Sequence, residues 1–290
     1  MIARIRRLVW SSWRPIARRA ARAYVAGPEL ADALRVCHAL GRQGMATAIC
    51  PWDGEGDAPR QVVDSYLAAL AGLAGTGLEC YLSIKAPSLG FSRNLLGEVL
   101  EAARPDGIGI HFDSLAPEAA EQTWALITEA AARHALAGCT LPARWHRSLS
   151  DVDRAVELRL RVRVVKGQWA DAATPEPEAR KEFLALVERL AGRAARVAVA
   201  THDPGLARQA LECLRAAGTA CELELLFGLP LRPSLRIAQA AGVPVRFYVP
   251  YGQAWLPYCL SEARRNPRIL WWTVRDWLVG WRWLNGRRSR

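Results

Sequence analysis

The sequence predicts an α/β fold, a closed (β/α)8 barrel of the TIM type, with an N-terminal helical extension and a C-terminal Trp/Arg-rich helix. Three observations lead there. Short apolar runs recur from residue 46 onward at intervals of two to three dozen residues, each is followed by polar or Gly-rich residues and then an Ala/Leu-rich helical stretch, and there are eight of them. Strands that alternate with helices pair in parallel, and eight such units suit a closed barrel better than an open sheet. A doubly wound sheet is the rival, yet no Gly-x-Gly-x-x-Gly follows any of the runs.

In chain order the expected strands are Ala46 to Cys50, Cys80 to Ile84, Gly107 to Phe112, Gly138 to Leu141, Leu160 to Val165, Val197 to Ala200, Cys221 to Leu225 and Val245 to Val249. Between them, leucines and alanines recur at three and four residues over Gln61 to Leu73, Ala116 to Ala131, Pro177 to Leu190, Pro204 to Ala216 and Pro233 to Ala240. The chain therefore divides into a basic amphipathic segment (1–25), a barrel domain (26–268) and a Trp/Arg-rich helix and tail (269–290).

Composition excludes several classes. With 51% hydrophobic and 23% charged residues, the 290-residue chain is neither fibrous nor wholesale disordered. Its seven cysteines are scattered with no Cys-x-x-Cys pair, which is neither a disulfide framework nor zinc spacing, so a reducing compartment fits and no metal is expected. The net charge of +11 suggests nucleic acid until it is mapped. Residues 1–25 hold seven arginines and no acid, and residues 264–290 hold eight arginines against Asp276, so each end carries +7 and the span between them about -3. A basic body for a duplex is missing, and an anionic membrane surface suits two short basic, Trp-bearing ends better. No apolar run is long enough for a membrane span. The expectation is a cytoplasmic protein, peripheral at the inner face of the membrane if its ends anchor it. A targeting segment or packing on the barrel are the other roles open to those ends.

In such a barrel the chemistry gathers at the carboxyl ends of the strands. Strand two ends in Lys85, strand three in Asp113, strand four near Arg144, strand five in Lys166 and Gly167, and strand six in Thr201, His202 and Asp203. A charged residue just past a strand is more often a solvated loop residue than a site residue. Arg163 differs, because alternation within Arg161 to Val165 turns it to the barrel interior, where a guanidinium needs an anionic partner. Its fork suits a phosphate or an electron-rich ring edge. His202 is equally a general base or an orienting hydrogen bonder.

These residues resemble those of the flavin-dependent proline dehydrogenases of the single-domain type. Val162 to Trp169 is similar to their "R-L-V-K-G-A-Y" strand, Val199 to Asp203 to "A-T-H-N", and Arg246 to Gly252 to "R-x-Y-x-P-Y-G", while Ser83 to Lys85 and Phe112 to Asp113 fall where the family has its lysine and aspartate. The resemblance is collinear over about residues 20–270. It implies that Arg163, Lys166, Gly167, Trp169, Thr201 and His202 hold FAD and that Lys85, Asp113 and Tyr258 border the substrate. It also implies oxidation of L-proline, or a related cyclic amine, to the imine (pyrroline-5-carboxylate) by hydride transfer to flavin N5, with a quinone as electron acceptor.

The resemblance breaks on the substrate side. Where the family carries an arginine pair in "Y-x-x-R-R-x-x-E" that clamps the substrate carboxylate, this chain has Ser261 and Glu262, with Arg265 in place of the last glutamate. Pro142 and Glu224 stand where the family has glutamines. The sequence thus leaves open a same-fold flavoenzyme for another secondary or cyclic amine, and a barrel that binds a membrane surface or partner without catalysis.

Overall fold

A computed structural model describes residues 26–54, 56–167, 176–229 and 231–252. Helix α1 (Leu30–Gly41) precedes eight strands: β1 (Ala46–Trp52), β2 (Cys80–Ile84), β3 (Gly109–Phe112), β4 (Ala137–Pro142), β5 (Arg161–Val165), β6 (Arg196–Ala200), β7 (Cys221–Leu226) and β8 (Val245–Gly252). Seven helices alternate with them: α2 (Pro59–Leu73), α3 (Arg93–Ala103), α4 (Ala120–Arg133), α5 (Ser148–Glu157), α6 (Glu176–Leu190), α7 (Pro204–Ala216) and α8 (Arg232–Ala241). All neighbouring strands are parallel, and β8 pairs with β1 from Ala46↔Arg246 to Trp52↔Gly252. That pairing closes the barrel and removes the open-sheet rival. All eight expected strands are present, and α1, α3 and α5 join the five helices singled out by spacing.

The apolar layer lies between sheet and helices. Outward strand residues such as Ile49, Leu82, Ile110, Leu141, Val164, Val199, Leu225 and Phe247 are fully or nearly fully buried against helix residues such as Tyr66, Leu100, Phe183 and Leu211. Each of these side chains contributes about 1.5–3 kcal/mol by leaving water, so this layer carries the fold. Helix starts follow from local chemistry: Asp203 accepts from the Gly205 and Leu206 amides at 3.0 Å with Pro204 in the first turn of α7, and the Ser92 hydroxyl caps α3.

Inside the barrel the pattern is different. Register places Tyr81, Ser83, His111, Thr140, Arg161, Arg163, Glu222, Glu224, Arg246 and Tyr248 on the inner face, so the centre is polar where barrels of this kind are commonly packed with branched aliphatic residues. At the amino-terminal end Arg246, 1% exposed, grips Glu222 through Nε (2.7 Å) and Nη2 (3.2 Å), donates to the Thr47 carbonyl at 2.8 Å and pairs with Glu79. These contacts seal the lower end. Among the described residues no helix is long and apolar enough to cross a membrane, and the six cysteines are free thiols.

Candidate active site

The carboxyl-terminal mouth is built on one inward arginine. Alternation on β5 turns Arg163 to the barrel axis, where it is 4% exposed. Its Nη1 donates to Asp113 Oδ1 at 2.5 Å, and its Nη2 donates to the Tyr81 hydroxyl at 2.8 Å and pairs with Glu224 Oε1 at 2.8 Å. The anion expected for this guanidinium is therefore supplied first by the barrel itself, from β7 and from the residue that follows β3. Burial alone would lower the Arg163 pKa, but Glu224, Tyr81 and Asp113 reverse that and hold it well above the ordinary value. Its Nε remains buried with no hydrogen-bond partner among the described residues.

Asp113 is the hub of the mouth. Besides Arg163 it accepts from the Ser83 hydroxyl (2.7 Å) and the Tyr248 hydroxyl (2.7 Å), and the Cys50 thiol lies 3.7 Å from Oδ2. Burial and then the negative charge of Asp113 push the Cys50 thiol up to about 12, so it stays protonated. Tyr81 links the layers: its hydroxyl donates to Glu224 Oε2 at 2.8 Å, while its ring stacks on His111 with centroids 5.2 Å apart and lies under the guanidinium groups of Arg161 and Arg246.

Lys85, expected at the end of β2, does reach the mouth, but paired. Its Nζ donates to Asp53 Oδ1 at 2.5 Å, and the Ser88 hydroxyl donates to Asp53 Oδ2 at 2.7 Å. Burial works against both charges, yet the mutual attraction prevails: Asp53 is held below the ordinary carboxylate range, and Lys85, with Cys50, Asp53 and Asp113 around it, is raised.

On the other side of the mouth, β5 runs into Lys166 and Gly167. Gly167 has φ 93°, and a Cβ there would come within 2.9 Å of Pro142 Cβ, so the tight approach of the β4 and β5 ends requires glycine. The Thr201 hydroxyl accepts from the Asp203 amide at 3.2 Å, and His202 Nε2 accepts from the Leu226 amide at 2.9 Å, which ties β6 to β7. That contact fits the orienting role for His202.

The structure thus brings Lys85, Asp113, Arg163, Lys166, Gly167, Thr201 and His202 to the strand-end face. Trp169, Tyr258, Ser261, Glu262 and Arg265 lie outside the described residues, as do the basic N-terminal segment and the Trp/Arg-rich tail. Sequence reasoning missed Asp53, Tyr81 and Ser88. Asp53 is the first polar residue after β1, and Tyr81 shares the inward alternation of Ser83 and Lys85; the rules applied to β3 and β5 would have found both.

No family model matches the chain. Curated relatives cover most of it: proline dehydrogenase 1 of Bacillus subtilis subsp. natto is 26% identical over 264 residues, 85% of this chain and 87% of the relative. The proline dehydrogenase of Deinococcus radiodurans is 26% identical over 280 residues, 89% of each. Among solved structures, proline utilization A from Bdellovibrio bacteriovorus, inactivated by N-propargylglycine, superposes with a TM-score of 0.75 at 16% identity over 89% of this chain. Proline utilization A from Corynebacterium freiburgense gives 0.70 at 16% identity over 97%. The chain spans about a third (34%) of the length of those larger proteins, and at such identity they speak for the barrel alone. Over 85 and 89% of its length, the chain whose strand ends carry these motifs is similar to proline dehydrogenases.

Proposed function

We propose that this protein is a flavin-dependent oxidoreductase of the proline dehydrogenase type, acting on the CH–NH group of L-proline or a related cyclic amine and passing the electrons to a quinone. The observation that carries the reading is the Arg163 assembly. It is a buried guanidinium whose Nε has no hydrogen-bond partner among the described residues, with Lys166 and Gly167 at the end of its own strand and Thr201 and His202 at the end of the adjoining β6. Donors of this kind suit the electron-rich edge of a flavin and its phosphates, so the residues fit FAD. Arg163, Lys166 and the backbone at Gly167 would hold it, with Thr201 and His202 on the neighbouring strand. When bound, the flavin supplies the hydride acceptor.

The chain's own residues have the remaining tasks. As hydride leaves the ring carbon beside nitrogen, positive charge develops on that nitrogen. Asp113, fixed by Ser83, Tyr248 and Arg163, is a preorganised negative charge at the mouth that would stabilise it. The nitrogen-bound proton leaves to solvent or a nearby base, and the product is the imine, pyrroline-5-carboxylate when the substrate is proline. Tyr248 and Trp52 supply aromatic surface at the mouth, where they would exclude water from the reacting carbon.

A spectrum of the purified protein, with and without added FAD, tests this reading. The expected result is a flavin-type absorption spectrum that L-proline or a cyclic amine bleaches anaerobically, with FAD affinity reduced at least about tenfold by Lys166→Ala. A colourless protein that cannot be loaded with FAD would overturn it in favour of a non-catalytic barrel.

A further inference from the structure

Arg163 meets two carboxylates, and only Asp113 has a task in the reading above. Glu224, 2% exposed, lies 2.8 Å from Nη2, and its second oxygen accepts from the Tyr81 hydroxyl, which itself accepts from the same Nη2. The three groups close a triangle, so the carboxylate is held against the guanidinium from two directions. Its height in the barrel is set as well. Glu224 pairs in register with Ala200, the last residue of β6, which directly precedes Thr201 and His202. Two residues further along β7, the Leu226 amide donates to His202 Nε2. The charge thus stands about 7 Å below the strand-end face that carries Thr201 and His202.

A guanidinium beside a flavin favours the electron-rich, reduced ring, and a carboxylate held against that guanidinium opposes it. Solvent screens a buried charge little, and at an effective dielectric constant near 20 such a charge acts over roughly 10 Å. We propose that Glu224 tunes the flavin: by offsetting Arg163 from within the barrel it lowers the reduction potential. The oxidised cofactor then accepts hydride less readily, and the reduced one gives electrons to the quinone more readily. The proposal rests on the flavin reading and adds to it a residue that acts through Arg163. Whatever the other charges of the mouth sum to, removing this one moves the potential upward.

The test uses the full chain loaded with FAD. The flavin potential is measured by equilibration with redox dyes, and the affinity for sulfite, an anion that adds reversibly to oxidised flavin, by titration. Glu224→Gln keeps the shape and an acceptor oxygen but removes the charge. It should raise the equilibrium constant for two-electron reduction at least about tenfold, which is about 30 mV, and tighten sulfite in parallel. Glu224→Asp, which draws the carboxylate back toward β7, should move both readings in the same direction by less and covers a failure of the first variant to fold. Glu222→Gln removes a buried charge of the same sign two residues deeper on β7, where it pairs with Arg246, and should shift the equilibrium by less than about threefold. A potential unchanged or lowered in the Glu224 variants, or shifted as far by Glu222→Gln, would overturn the proposal and leave the oxidoreductase reading standing. A wild type that cannot be loaded with FAD overturns both. If the potential shifts as stated while no amine bleaches the flavin, the amine-oxidising reading fails and the tuning by Glu224 stands.

Discussion

Glu224 is the residue at which the interior of this barrel most visibly departs from the resemblance, since a charge stands where an amide is expected. Its carboxylate is 2% exposed and has two partners, the Arg163 guanidinium and the Tyr81 hydroxyl, both at 2.8 Å. Glu224→Ala leaves both buried donors short of an acceptor and should cost about 2–4 kcal/mol of unfolding free energy. Glu224→Gln keeps an acceptor oxygen while Asp113 still balances Arg163, so a loss of about 1–2 kcal/mol is expected. Chemical denaturation of the two variants checks this. Equal losses would mean that charge, not hydrogen-bond acceptance, is what Arg163 requires of the seventh strand.

At the scale of elements, period and alternation made nearly all of the barrel legible. Outward residues form unbroken apolar layers, and any charge inside an apolar run stands out, as Arg163 did. The same signal was present at Glu222, Glu224 and Arg246 on β7 and β8, but what it meant was not. Alternation says that a side chain faces the axis; it does not say which charges across the barrel meet there. The Lys85–Asp53 pair was illegible for that reason, because its partners come from two different strand ends and meet only after closure. Gly138 is another case in which an element's role appears only in three dimensions. On β4, paired with His111 on one side and Arg161 on the other, it leaves the space into which the His111 ring fits. A Cβ there would press on that ring and come within 2.9 Å of the Arg161 carbonyl oxygen. Gly138→Ala should therefore destabilise the fold by about 1–3 kcal/mol, against the small gain that removing a strand glycine ordinarily brings. A thermal midpoint at or above that of the wild type would show that β3 and β4 can separate to admit a methyl group.

For the whole molecule, a polar interior has a consequence for stability against acid. His111 is fully buried at the centre of the barrel, with Nε2 3.0 Å from the Thr140 hydroxyl. Burial, followed by the positive charges of Arg163, Arg161 and Arg246, pushes its pKa well below the ordinary 6.5, so it stays neutral in the folded chain. The unfolded chain takes up a proton at this position below about pH 6.5, and the folded chain does not. The unfolded state therefore binds more protons in that window, and stability must fall as pH drops, by up to about 1.4 kcal/mol per unit from this one group. The buried carboxylates act lower. Burial favours the protonated form of Glu222 and Asp53, but Arg246 and Lys85 respectively hold both below their ordinary values of 4.5 and 3.8, so the stability they contribute is lost only as pH falls beneath that range. Unfolding free energy measured by denaturant between pH 8 and pH 4 should thus begin to decline near 6.5, ahead of the carboxylate region. In His111→Gln, which cannot take up the proton in either state, the decline between pH 6.5 and 5 should flatten while the steeper loss at lower pH persists. An unchanged slope in that variant would mean that the proton enters elsewhere and that the arginines around the barrel axis do not govern acid stability.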